Sequence, residues 1–219
     1  MANFTIHTVP GSPFARAVLA TLEEKHSPYR IAAVPPGGGR IEPHISRHPW
    51  GRMPVIEHGD FMLYETAAII RYLDRVLPTP ALTPSDIRAA ARMDQIMNIC
   101  DWYLFQGVSN VIGFQRIVAP RLMGTAPDEA LITAAMPAAH KVFNELTRLL
   151  GDKPYLTGDA VSLADLLVGP HLDFLAATPE WAALVADNAN LVAWLARVNA
   201  RPSMQATTWE KVAPMAKAA

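Results

Sequence analysis

The 219-residue sequence contains one cysteine, Cys100. That excludes an intrachain disulfide and a thiolate metal cage, and it fits a reducing compartment. An excess of one charge is missing too. Nineteen Lys and Arg face 20 Asp and Glu, for a formal net charge of -1. Nothing in that balance favours nucleic acid or an anionic membrane as a partner. No apolar run approaches the roughly 20 residues that span a bilayer. The stretch Met1-Ala2-Asn3-Phe4-Thr5-Ile6-His7 lacks a basic region followed by an apolar one. No export leader is therefore expected, and the predicted location is cytoplasmic. Neither an internal repeat nor a low-complexity tract is present. What remains is a globular balance of 51% hydrophobic and 18% charged residues. A chain of this length can bury one large core or two small ones.

The N-terminal part changes its hydrophobic period several times. Phe4 to Val9 alternates apolar and polar residues, as a strand does, and Pro10-Gly11-Ser12-Pro13 is a turn. Phe14, Val18, Leu19 and Leu22 share one face of a helix ending near Lys25. Tyr29 to Val34 reads as a second strand, so the opening unit is βαβ with a right-handed crossover. Pro35 to Pro49 is irregular, with room for one helical turn. Pro54-Val55-Ile56-Glu57 and Phe61-Met62-Leu63-Tyr64 flank His58-Gly59-Asp60 and predict a hairpin. A helix follows from Glu65, and on it Arg71, Asp74 and Arg75 are spaced for exposed ion pairs. The order βαβ-loop-ββα is thioredoxin-like. Pro78-Thr79-Pro80-Ala81-Leu82-Thr83-Pro84 is a linker. Beyond it everything reads as helix: Ile87 to about Val118, Asp128 to Leu150, and Leu191 to about Ala200. Thr83, Pro84 and Asp86 predict a capping box, and Ser162-Leu163-Ala164-Asp165 predicts another. The expected organisation is a thioredoxin-like α/β domain over residues 1–77, a linker over 78–84 and an all-α domain over 85–219.

Two segments carry a resemblance. His48-Pro49-Trp50-Gly51-Arg52-Met53-Pro54-Val55-Ile56 resembles the NPFGQVPAL-type stretch of cytosolic glutathione S-transferases, and Phe61 to Leu73 resembles their F-x-L-x-E-S-x-A-I-x-x-Y-L stretch. Ala20 to Lys25, ATLEEK, is similar to phi-like and bacterial members. The resemblance is specific over about the first 77 residues and architectural after that. It implies that glutathione binds the first domain as co-substrate, with no metal. Pro54 matches the family's cis-proline, which turns the Met53 backbone toward the cysteinyl amide of the ligand. Glu65 matches the acid that meets the γ-glutamyl ammonium. Thr66 matches the hydroxyl residue that meets its carboxylate at a helix start. Arg40 falls where phi-like members carry a lysine near the glycyl carboxylate. Arg52 replaces a frequent glutamine and can also reach a carboxylate.

Ser12 is the implied catalytic residue, lying between the first strand and the first helix. The nucleophile in such chemistry is a thiolate. Lowering a thiol pKa by about two units from roughly 8.5 takes about 2.7 kcal/mol. One charge-assisted hydrogen bond, at about 1.5–3 kcal/mol, suffices. No tyrosine precedes Tyr29 and no cysteine precedes Cys100, so the tyrosine-based and mixed-disulfide mechanisms of other classes lack their residues. Ser12-Pro13-Phe14 stands where omega-like members carry Cys-Pro-Phe.

In this family the long helix after the linker lines the site of a hydrophobic second substrate, which draws attention to Trp102, Tyr103, Phe105 and Gln106. Pro10, Gly11 and Phe14 are expected as the facing wall. The family also implies a homodimer, with Trp50 placed to enter the partner. His44 and His48 are four apart without an acid or thiol ligand beside them, and they predict no metal site. The expected function is a glutathione transferase acting on a small hydrophobic electrophile. The rivals are a glutathione-dependent disulfide or peroxide reductase, and a non-catalytic carrier of hydrophobic ligands.

Overall fold

Phe4–Thr8 forms β1, Pro13–Glu24 forms α1 and Tyr29–Ala33 forms β2 in the computed structural model. The described residues are 4–35 and 37–218, the last two as backbone only; residues 1–3, on which the leader reading partly rests, lie outside them. β1 and β2 pair in parallel, so the predicted βαβ unit forms. The loop that follows holds a short 3₁₀ turn, Gly38–Arg40, and the single-turn α2, His44–Arg47. β3 (Val55–His58) pairs antiparallel with β1 and with β4 (Phe61–Tyr64), and α3 (Thr66–Val76) closes the segment. The alternating Phe4 and Ile6 of β1, Val55 and Ile56 of β3, Val18, Leu19 and Leu22 of α1, and Ile69, Ile70 and Leu73 of α3 are all buried. Burial of each such side chain is worth roughly 1.5–3 kcal/mol.

Asp74 departs from the expectation of an exposed pair. It is buried, accepts from Lys25 Nζ at 2.5 Å and takes the Leu82 N–H at 2.9 Å. Lys25 also donates to the Pro80 carbonyl. A lysine ammonium this buried needs several acceptors at once, and helical spacing alone does not show which side chain will meet it.

The chain divides into two units, Met1–Leu82 with Ala200–Ala219, and Thr83–Asn199. The second unit begins with α4 (Ile87–Ile99). Asp86 is its cap and accepts from the Arg88 and Ala89 N–H groups, so the helix starts later than a cap at Thr83 would put it. Cys100–Val118 continues as a π-helix and α5 (Ala119–Met123) ends the rod. In the π-helix the N–H of residue i bonds to the carbonyl of i−5, as in Ala119 N–H to Phe114 O. Its buried residues include Cys100, Leu104, Val108 and Ile112, a repeat of four that suits the wider turn. Then come α6 (Glu129–Leu150), α7 (Leu163–Ala176), α8 (Trp181–Leu184) and α9 (Ala189–Asn199).

The predicted box at Ser162 is present and reaches further than a cap. The fully buried Asp165 carboxylate accepts from Ser162 N, Ser162 Oγ, Leu156 N and Trp194 Nε1, each at 2.8 Å. On α7, His171 is also fully buried, and burial pushes its pKa from 6.5 down to about 3. Folding therefore favours the neutral ring. Its contribution to stability is complete above pH 6.5 and is lost as pH falls toward 3, because the unfolded chain takes the proton first. The loss is on the order of 4 kcal/mol across that window. The urea midpoint of the helical unit should drop as pH is lowered from about 7 to about 4, and His171→Phe should flatten the dependence. An unchanged slope in that variant would assign the acid sensitivity elsewhere.

The last residues depart from the all-α expectation for 85–219, since they belong with the first unit. Arg201 makes a two-pronged ion pair with Glu24 at 2.7 and 2.8 Å, and Ser203 Oγ donates to the same carboxylate at 2.6 Å. Burial raises the Glu24 pKa, but the Arg201 and Ser203 bonds outweigh it and hold the group below the usual carboxylate range. α10 (Pro202–Ala206) lies against α1, where Arg16 donates to the Met204 carbonyl at 3.1 Å. α11 (Trp209–Val212) follows, and β5 (Lys217–Ala218) pairs in parallel with β2. β5 extends the sheet to the order β4-β3-β1-β2-β5, a strand that no sequence pattern after the linker announces.

Candidate active site

The strand register assembles the site. His7 of β1 stands opposite Val55 of β3, and Val55 stands opposite Tyr64 of β4. One step further along the ladder lie Thr8, Pro54 and Glu65. The turn from β1 to α1, the start of β3 and the start of α3 therefore meet at one end of the sheet. The Met53–Pro54 peptide is cis and Pro54 is buried.

Glu65 occupies φ 69° and ψ 111°, a conformation that a residue with a Cβ seldom takes. It costs about 1–3 kcal/mol and persists only where the surroundings enforce it. Its side chain is 66% exposed, with one oxygen 4.0 Å from His48 Nε2. Thr66 is buried at the first position of α3. His48 is buried and stacks on Tyr64 with ring centroids 4.6 Å apart. Burial pushes its pKa below the ordinary value although the Glu65 carboxylate pulls the other way, so the ring is neutral at pH 7.

Two neighbouring loops are tied by backbone. A Cβ on Gly39 would lie 2.5 Å from the Gly51 carbonyl oxygen, and one on Gly51 would lie 2.6 Å from that of Gly39. Gly51 also has φ +63°. Glycine is required at both positions, and the contact sets Arg40 and Arg52, both exposed, on adjoining loops. The buried His44 donates from Nε2 to the Arg52 carbonyl at 2.8 Å, which fixes the approach to Met53.

Ser12 is the N-cap of α1, and its Oγ accepts the Ala15 N–H at 3.3 Å. A hydroxyl used this way keeps its own proton to donate, and it sits at the positive end of a 12-residue helix. Pro10 and Phe14 are half-buried beside it. Gly11, expected to face a substrate, has its side-chain position taken instead by the Trp209 indole: a Cβ there would fall 1.8 Å from the ring.

In the helical unit, Trp102, Tyr103 and Gln106 of the π-helix are exposed, while Phe105 is half-buried, edge-on to His171 with centroids 5.9 Å apart. Cys100 is fully buried, and burial pushes its thiol pKa well above the ordinary value. It is therefore a poor nucleophile.

Comparison with known proteins decides the family. Residues 6–81 match the glutathione S-transferase N-terminal domain, and residues 109–202 match the glutathione S-transferase C-terminal domain. A probable glutathione S-transferase, GSTF2, of Oryza sativa subsp. japonica is 30% identical over 189 residues, covering 85% of this chain and 87% of that relative. The chain belongs to the glutathione S-transferase family. Glutathione S-transferase F7 of Arabidopsis thaliana is 29% identical over 210 residues, 93% of this chain and 98% of that protein. The crystal structure of glutathione transferase F7 from Populus trichocarpa superimposes with a TM-score of 0.84 at 26% identity, over 98% of this chain and 99% of that one.

Within this member of the glutathione S-transferase family, three features escaped the sequence reading. His44 and His48 act behind the loop and the acid. The Gly39–Gly51 contact had a signal, a glycine between Trp50 and Arg52 just ahead of a proline. Trp209 had none, because its partner is almost the whole chain away.

Proposed function

We propose that this glutathione transferase holds glutathione at the shared end of β1, β3 and β4 and ionises its thiol with Ser12. The observation that supports the reading is the register that pairs Val55 with Tyr64, one residue from Pro54 and one from Glu65, while Ser12 caps the start of α1 with a hydroxyl proton free to donate. The Glu65 carboxylate takes the γ-glutamyl ammonium. The Thr66 hydroxyl and amide, at a helix start, take the neighbouring carboxylate. The Met53 backbone pairs with the cysteinyl amide as an added strand would. Arg40 and Arg52 serve the glycyl carboxylate. Ser12 Oγ–H donates to sulfur, and the thiolate attacks a small hydrophobic electrophile. A carbon–sulfur bond forms, the leaving group departs with its electron pair, and the thiol proton has already passed to solvent. In the helical unit, Trp102 and Tyr103 keep exposed aromatic side chains.

We also propose that the protein is a phi-like, serine-type homodimer. Trp50 is 66% exposed, held edge-on by Tyr64 and His48, and Phe61 and Met62 lie exposed on the edge strand β4. A cytoplasmic location fits the single buried cysteine. Among the described residues no helix is long and apolar enough to cross a membrane.

Calorimetric titration with glutathione tests the binding half. Glu65→Ala should weaken binding about tenfold, the low end of a charged hydrogen bond because the carboxylate is largely solvated. No heat of binding in the wild type, or equal affinity in the variant, would overturn the assignment.

A further inference from the structure

Trp209 is nearly 200 residues from Ser12 in sequence, yet its indole lies on Gly11, the residue directly before Ser12. Atoms Cε3 and Cζ3 both fall 1.8 Å from the place a Gly11 Cβ would take, so the ring rests on the glycine backbone itself. Gly11 has φ +91°, which disfavours any side chain there independently of the indole. The tryptophan is not buried by this contact: 48% of its surface remains exposed. An indole that meets Gly11, next to Ser12 in the chain, along one edge and keeps about half of its surface exposed is not a core residue.

The segment that carries the ring is also tethered on both sides. Upstream, Arg201 and Ser203 bond to Glu24 of α1, Arg16 holds the Met204 carbonyl, and Thr207 Oγ donates to the Ser203 carbonyl at 2.8 Å. Downstream, β5 pairs with β2 through Ala32 with Lys217 and Ala33 with Ala218. The segment between is tethered to the same unit that carries Ser12. This is a fixed wall, with only two side-chain torsions to freeze when a ligand meets it.

We propose that Trp209 is a specificity-determining residue of the acceptor site, selecting flat aromatic electrophiles by stacking them on its exposed indole face beside the thiolate. The proposal rests on Ser12 holding the sulfur, as argued above. A ring stacked there has its electrophilic carbon next to the nucleophile. With an aryl halide, the sulfur–carbon bond forms and the carbon–halogen bond breaks, the halide leaving with the bonding pair. A small saturated acceptor has no π-face to offer and gains nothing from the indole. Aromatic pairs of this kind are worth a factor of about 2–12 beyond area burial.

The test compares 1-chloro-2,4-dinitrobenzene with iodomethane as acceptors, using the full-length wild type, Trp209→Leu and Trp209→Phe. Trp209→Leu should lower kcat/KM about fivefold to tenfold for the aryl halide, mainly through its KM, and leave iodomethane within about twofold. Trp209→Phe, which keeps a ring and guards against misfolding of the leucine variant, should fall between. An unchanged acceptor ratio in both variants overturns the proposal. So does an equal fall with both acceptors, which would make Trp209 a structural prop. Ultraviolet titration of bound glutathione is run in parallel and should be the same in all three proteins. That titration reports on Ser12, whereas the acceptor ratio reports on Trp209, so failure of one reading is not mistaken for failure of the other.

Discussion

Asp165→Ala is expected to unfold the helical unit or leave it barely folded at room temperature. Four donors converge on this carboxylate, all in a region with no access to water: Leu156 N–H, Ser162 N–H, Ser162 Oγ–H and Trp194 Nε1–H. Removing one acceptor from a buried donor costs about 1–3 kcal/mol. Even at the low end, four orphaned donors take away about 4 kcal/mol, against a typical total of 5–15 kcal/mol for a domain. The substitution also removes the Asp165 half of the α7 capping box and the fixed point to which α9 is bound through Trp194. Asp165→Asn should fall between, since its amide oxygen keeps one set of partners and its NH₂ group points donors at the other. Urea unfolding followed by far-ultraviolet circular dichroism, which reports the helices, measures both variants. A loss below about 1 kcal/mol in the alanine variant would show that water or rearranged partners replace the carboxylate.

The second large effect belongs to Ser12→Ala. Loss of one hydrogen bond to a thiolate, at about 1.5–3 kcal/mol, lowers the reactive fraction and kcat/KM by about 10- to 100-fold near neutral pH. The pKa of the bound thiol should rise toward the free value of about 8.5. The thiolate is the form that reacts, so the acid limb of the pH–rate profile moves upward with it, and the variant recovers activity as pH increases. Glutathione affinity should change little, because the other contacts remain. Stability should fall by about 1 kcal/mol from loss of the N-cap to Ala15. Thiolate absorbance of bound glutathione at neutral pH in the variant, equal to that of the wild type, would remove Ser12 from the mechanism.

The sequence made most of the first unit legible because its signals are local. Alternation in β1, the Gly59-Asp60 turn between β3 and β4, and the change of period at Thr66 each span a few residues. The Ser162 box was visible for the same reason, and the family resemblance marked Pro54, whose peptide bond is cis. What stayed hidden depends on contacts made at long range. Asp74 looked like a surface acid until Lys25, 49 residues away, proved to be its buried partner. The ion pair of Glu24 with Arg201 joins residues 177 apart. The π-helix was hidden as well, because its apolar repeat of four lies too close to the α-helical 3.6 to be separated by eye. The contorted backbone of Glu65 left no trace in composition, since a glutamate ordinarily avoids that conformation. It became visible only with the site around it.

The return of residues 200–218 to the first unit has a consequence for biosynthesis. Glu24 and β2 emerge from the ribosome early, while Arg201, Trp209 and β5 arrive only after the entire helical unit has been translated. The nascent thioredoxin-like unit therefore waits with β2 unpaired on its outer side and Glu24 without Arg201 until the helical unit has been translated. A chain broken off after residue 199 would keep every residue of the second unit and deprive the first of the Arg201 and β5 contacts.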